Sequence, residues 1–471
     1  MKNPLLSPFD TSYQSIPFSK IKSEHFIPAL KKNIERALKQ IDELTQPTAS
    51  PSFDNTMEPL QNTGAQLERN SAILFNLNSA ETSDAIQAVT QQAAPLLTKF
   101  QNDVRLNQAL FERIKTIYNQ RDSENLSNEQ RTLLEKEYKA FVRNGALLSN
   151  DKKEMLREID TEKAQLSLTF GEHILADTNN YQLHIKSEDD LKGLPDQVKE
   201  MAAEMAKSKN KEGWIFTLDY PSYVPFMTYA ENRDLRKELS LAFGRRSFQD
   251  NDNNNTQIIL RLIELRKQRA ELLGYDSHAA FVLEERMANS ETIVNNFLED
   301  LYQKAYPAAQ KEWQEMVDFA AKNLGINDFE KWDSAYVSEK LKQAQLDLDE
   351  QAIKPYFPLE KVKAGVFEIA EKLFGLRFTK NDKIEGYHKE VDVYEVYNKD
   401  NEFYALLYTD FFPRPGKRNG AWMTSFRGQK KGQRPHISIV CNFSKPTAST
   451  PALLSFQEVT TLFHEFGHAL H

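Results

Sequence analysis

Two histidines four residues apart, His464 and His468, enclose an acid in the run His464-Glu465-Phe466-Gly467-His468. On a helix that spacing puts both imidazoles on one face, one turn apart, so their nitrogens can converge on a single cation at roughly 2.0–2.1 Å. Glu465 is rotated by about 100° from His464, within reach of a water held by the cation without having to ligate. The spacing suits zinc, a redox-inactive Lewis acid that acidifies water and polarises a carbonyl, with Glu465 taking the proton and returning it to a departing amine. The competing reading is a pair of ordinary surface or core histidines. With nine histidines in 471 residues, chance expects roughly 0.03 such motifs or fewer, so coincidence competes poorly.

A structural zinc site would close its shell with further cysteines or histidines, and the chain has a single cysteine, Cys441. Catalytic zinc takes three protein ligands and one water, and only two are evident. His471 lies one turn farther on, where three neighbouring ligands on one straight helix converge poorly. In the HExxHxxGxxH class a glycine would stand at position 471, so that class is disfavoured.

The elements that must position this motif are legible around it. Ser455 and Glu458 have capping-box spacing, so a helix should begin there. Upstream, Ile437, Ile439, Cys441 and Phe443 alternate with His436, Ser438, Val440 and Asn442, which predicts a strand over 435–443 with one buried face. Val391–Tyr397 and Phe403–Tyr408 read as a hairpin across 398–401. Earlier segments carry helical periodicity, beginning with Ile27, Leu30, Ile34, Ala37, Ile41 and Leu44 and continuing over 61–77, 84–115, 128–148 and 152–175. Strands are expected at 181–185 and 214–218, before Pro221 and Pro225 punctuate the chain. Helices should follow over 256–273, ended by Gly274, and over 290–321, 333–346 and 359–374. The fold class is therefore mostly α, with sheet arriving late. The division falls at 225/226: a helical region 1–225, then 226–471 as the first part of a catalytic region.

Sixty basic against 68 acidic residues leave a net charge of -8, which argues against a nucleic-acid or anionic-membrane footprint. No stretch approaches a membrane span and the first ten residues carry no secretory apolar run. One cysteine fits a reducing compartment, so a cytoplasmic monomer is expected.

The string Glu458–His471 resembles the thimet-oligopeptidase-like metallopeptidases, whose helix reads HEFGHxLH. Gly420-Ala421-Trp422-Met423, Val440-Cys441-Asn442-Phe443 and Pro451-Ala452-Leu453-Leu454 fall in that family's order and spacing. The resemblance covers the whole chain and implies a multi-helical, two-lobed body with a small β-sheet beside the zinc helix and a channel for short peptides. It implies one zinc ion on His464 and His468, Glu465 as base, and a third ligand from a glutamate on a following helix. Because the chain stops three residues after His468, it is read as C-terminally truncated, and residues 1–471 alone are expected to bind zinc weakly and to lack turnover. Asn3-Pro4-Leu5, Leu346–Glu350 and Lys354-Pro355-Tyr356-Phe357 are most similar to the branch that releases C-terminal dipeptides. An oligopeptidase A-like endopeptidase is the alternative.

Trp422, Met423, His436 and Ser438 are candidate substrate-binding residues, since an extended peptide can pair with a free strand edge; against this, Trp422 and Met423 could simply pack the lobe. Cys441 reads as strand packing. Glu458 reads as a cap, and Arg414, Lys417, Arg418 and Arg427 as a solvated loop more readily than a carboxylate site. Two further functions stay open: an inactive peptide-binding protein, and a metal-bound structural module in which Glu465 is dispensable.

Overall fold

A computed structural model describes residues 3–46 and 49–471. Its contacts separate two compact units, one of residues 1–78, 82–172 and 255–295, the other of residues 79–81, 173–254 and 296–471. Among the described residues no helix is long and apolar enough to cross a membrane.

The first unit is helical. Ser23–Thr45 turns Leu30, Ala37 and Ile41 inward, the stripe its spacing predicts. Ile41 joins a core containing Phe53, Met57, Leu110, Phe111 and Phe141. Where periodicity predicts one helix over 84–115 there are two, Asp84–Arg105 and Gln108–Gln120. The break is a cap: the Asn107 side chain accepts from the Leu110 amide at 2.9 Å and starts the second helix.

In the second unit, β1 (Leu183–Ile185) pairs antiparallel with β2 (Trp214–Phe216). Pro221 and Pro225 do not break the chain there; a helix spans Tyr220–Tyr229. Pro221 sits in its first turn, where a missing N–H costs nothing, and Pro225 removes one backbone bond from the second turn.

The remainder centres on a five-stranded sheet of order β3-β4-β5-β7-β6. Its strands are β3 (Arg377–Lys380), β4 (Val391–Tyr397), β5 (Phe403–Asp410), β6 (Trp422–Arg427) and β7 (His436–Val440). Only β5 and β7 run parallel. The hairpin between β4 and β5 turns at 398–401 as predicted, with Asn401 in the left-handed region. β6, which periodicity does not reveal, forms an edge.

Two helices, Leu359–Phe374 and Phe456–Leu470, share one hydrophobic core with this sheet. Val362, Val366, Val459, Leu462 and Phe466 meet Tyr394, Leu407, Ile439 and Cys441. The alternation expected along β7 is present, but both of its faces are covered: His436, Ser438 and Val440, on the opposite face, are each 1% exposed. The lead-in segments of the two helices are tied together, Leu359 N to Ala452 O and Leu454 N to Phe357 O, both at 2.9 Å.

The capping box forms as predicted. Ser455 Oγ accepts from the Glu458 amide at 3.2 Å, and the Ser455 amide donates to Glu458 Oε2 at 2.7 Å. Glu458 does more than cap, because its Oε1 accepts from the Ser444 amide at 2.8 Å and the Ser444 hydroxyl at 3.2 Å. The helix start is thereby fastened to the chain leaving β7.

The basic stretch between β5 and β6 is not a solvated loop. Asp410, fully buried, accepts from Arg414 Nη1 and Nη2 at 2.8 and 2.6 Å, Lys417 Nζ at 2.9 Å and Tyr387 Oη at 2.6 Å. Lys417 is buried too, and also donates to the carbonyls of Asp410 and Phe412. Burial alone would raise the Asp410 pKa, but the Arg414 hydrogen bonds and the Lys417 charge hold it below the ordinary 3.8.

Two stability outcomes follow from these contacts. Glu458→Ala should destabilise the folded protein by about 1–2 kcal/mol, more than Ser455→Ala, in denaturant titrations; equal losses would contradict the Ser444 tether. Asp410→Ala strands two buried cations and should cost about 3–5 kcal/mol. Because the native Asp410 pKa is depressed, its contribution is complete above the ordinary 3.8 and disappears as pH falls through the native value. Asp410→Asn should therefore flatten the acid limb of a stability–pH curve.

Candidate metal centre

The Phe456–Leu470 helix divides its functional residues by face. Val459, Leu462 and Phe466 are buried against the sheet, whereas His464 and His468 are exposed. Their Nε2 atoms stand 3.1 Å apart, with the rings at 83°. Two nitrogens each about 2.05 Å from one tetrahedral zinc would be separated by about 3.3 Å, so the pair already has nearly the span of a shared metal.

Glu465 is 7% exposed and lies on the flank of the buried stripe. Glu458 and Thr461, seven and four residues before it, share its face. Glu458 and Thr461 border a cavity of about 400 Å³, also bounded by Ala421, Asn442 and the Tyr220–Tyr229 helix. Asn442 holds the cavity's lip in place, donating from Nδ2 to the carbonyls of Arg418 at 2.9 Å and Gly420 at 2.7 Å. Gly420 has φ +105, a backbone setting that favours glycine.

Among the described residues no group of three or more His, Cys, Asp or Glu side chains is placed to hold a metal. The donor set fits zinc in kind and spacing and comprises two imidazoles. His388 turns its Nδ1 to the Glu390 amide at 3.2 Å. Cys441 is fully buried and its thiol is pushed upward chiefly by that burial, the state of a packing residue.

The four candidate substrate-binding residues separate by strand register. Met423 pairs with Ile439 and so shares the face that meets the motif helix, while Trp422 pairs with Val440 on the opposite face. Both are half-buried. His436 and Ser438 lie on that opposite face and are buried, so neither side chain is open to a substrate in this structure. Their alternation with Ile437 and Ile439 carried no information on what covers the second face. Sequence reasoning missed the cavity bordered by Glu458 and Thr461, because its walls come from five separate stretches of chain.

Residues 226–471 match the model of peptidase family M3, and residues 27–153 match that of the neurolysin/thimet oligopeptidase N-terminal domain. The chain is 31% identical to oligopeptidase A of Escherichia coli (strain K12) over 480 residues, covering 100% of this chain and 70% of that protein. It is 33% identical to dipeptidyl carboxypeptidase of the same organism over 473 residues, with coverages of 100% and 70%. A probable cytosolic oligopeptidase A of Arabidopsis thaliana is 31% identical, with coverages of 99% and 68%. A motif helix with convergent imidazoles, seated on its sheet inside a matched region of this extent, places the chain in peptidase family M3: it is a peptidase.

Proposed function

We propose that the protein hydrolyses short peptides with one zinc ion and releases dipeptides from their C-termini, acting as a monomer in the cytoplasm. The observation that carries the metal assignment is the 3.1 Å separation of His464 and His468 Nε2, one residue from Glu465. The residue range matched by the M3 model, 226–471, supports reading that stretch as catalytic, with 1–225 as a preceding helical region. The relative named dipeptidyl carboxypeptidase supports the dipeptide reading.

His464 and His468 would hold the zinc, which supplies Lewis acidity to the scissile carbonyl and to water. Glu465 takes a proton from the attacking water on its carboxylate and hands it to the leaving amine nitrogen, ending the cycle ionised. Its place on the flank of the buried stripe confines the side chain to few rotamers, so the carboxylate is pre-positioned. Trp422 and Met423 belong to the edge strand β6, and an edge strand can bind an extended peptide by strand addition. Specificity then rests on which side-chain pockets flank that edge.

A second reading, internal cleavage, is favoured by the relatives named oligopeptidase A. Mass analysis of a blocked octapeptide digested by the full-length protein separates the two: successive loss of dipeptides from the C-terminus supports the first, a single internal cut the second. Chelation should abolish either activity and zinc should restore it; turnover that survives metal removal would end the proposal. Glu465→Gln should keep zinc affinity in a metal titration while lowering kcat by about 10²–10⁴. Zinc should raise the Tm of the unsubstituted protein, and His464→Ala should lose that rise. A Glu465→Gln variant with normal turnover would point instead to a structural metal.

A further inference from the structure

Between β7 and the motif helix the chain forms neither helix nor strand, so its path from 441 to 454 is set by the groups that hold it. Its ends are tied near the motif helix, Ser444 to Glu458 and Leu454 to Phe357. Lys445 adds bonds from Nζ to the Glu390 carboxylate at 3.0 and 3.2 Å. The middle is held from elsewhere. The Thr447 and Ser449 hydroxyls both donate to Glu200 Oε2 at 2.6 Å, and the Ala448 amide donates to Glu204 Oε1 at 3.1 Å.

Both carboxylates belong to the helix Asp196–Ser208, where a separation of four residues puts them on one face. That helix buries Val198 and Ala202 in a core with Leu183, Phe216 and Leu239, so the two acids stand on a fixed support. The segment that meets them is pre-shaped. The Thr447 amide donates to the Thr450 carbonyl at 2.9 Å, and the Thr450 amide donates to Thr447 Oγ1 at 3.1 Å. Prolines at 446 and 451 restrict the backbone on either side. The Thr447 hydroxyl thus closes the turn as an acceptor and reaches Glu200 as a donor. The Ser449 and Thr447 hydroxyls hold the Glu200 carboxyl below its ordinary 4.5, so it is an ionised acceptor at neutral pH.

The same segment is cavity wall. Phe443 and Ser444 line the cavity bordered by Glu458 and Thr461, and Thr450 and Leu453 line a second one of about 420 Å³. The motif helix does not depend on the hold at 447–449, because Val459, Leu462 and Phe466 seat it in the core and Glu458 fixes its start. Releasing 447–449 therefore shifts the wall and leaves the imidazole pair and Glu465 in place. We propose that Glu200 is a positioning residue for peptide binding, acting through Thr447 and Ser449 to fix the wall that a peptide at the motif helix meets. The inference rests on the peptidase reading and assigns a binding role to a helix outside the motif's own core.

The test measures kcat and KM for an N-acetylated hexapeptide on the zinc-loaded full-length protein. Glu200→Ala should raise KM about three- to tenfold while kcat and zinc affinity stay within about twofold. Glu200→Gln keeps an oxygen that accepts both hydroxyls and should hold KM within about twofold of the parent. Thr447→Val and Ser449→Ala should each raise KM in the parent and add nothing to Glu200→Ala, as a double-mutant cycle reads for residues acting through one another. A KM unmoved by Glu200→Ala, or moved equally by Glu200→Gln, overturns the assignment; so does a KM rise matched by a loss of zinc affinity, which marks general loosening. Should Glu200→Ala fail to fold, Thr447→Val and Ser449→Ala decide by the same criteria. If the parent cleaves no peptide, the peptidase reading is what fails; calorimetry with the hexapeptide then decides separately, equal affinities of parent and Glu200→Ala overturning the positioning role and a three- to tenfold loss supporting it.

Discussion

Everything at the candidate site depends on how the Phe456–Leu470 helix is rotated about its own axis. A turn of one residue, about 100°, would bury a histidine and expose Phe466. Two constraints prevent this. Val459, Leu462 and Phe466 are committed to the core they share with the sheet, and Glu458 pins the helix start to Ser444. With rotation settled at both points, His464 and His468 face outward together and Glu465 falls at the flank of the buried stripe. The imidazole geometry is thus a consequence of packing several residues away.

The sheet is held with similar economy at the opposite end of the same region. Asp410 gathers Arg414, Lys417 and Tyr387 around one carboxylate, and the chain between β5 and β6 folds over it before reaching Gly420. Asn442 then holds the carbonyls on either side of Asn419. The edge strand therefore starts from a fixed point, and so does the cavity lip. The Asp410 cluster and the Asn442 bonds together fix the chain on both sides of the point where β6 begins.

What was legible in the sequence was local. The capping box at Ser455 and Glu458, the hairpin turn at 398–401 and the HExxH spacing each involve residues within a few positions of one another, and each formed as read. The helix over 220–229 was hidden because two prolines outweigh a short apolar pattern, although Pro221 falls in the first turn, where proline is tolerated. His436 and Ser438 were read as facing a cleft because polar residues on an alternating strand usually meet water; their face is covered. Arg414 and Lys417 look solvated in a linear reading because their partner Asp410 precedes them as an unremarkable strand residue.

The register shift between Ser425 and Arg427 on β6 has a consequence for both partnership and solubility. It leaves Trp422–Ser425 as the regular part of the edge strand, about 13 Å at 3.3 Å per residue. So short a margin can clasp a few residues of a passing peptide but offers too little length for a neighbouring sheet to dock. The irregularity at Phe426 thus limits the length of regular edge that the sheet presents.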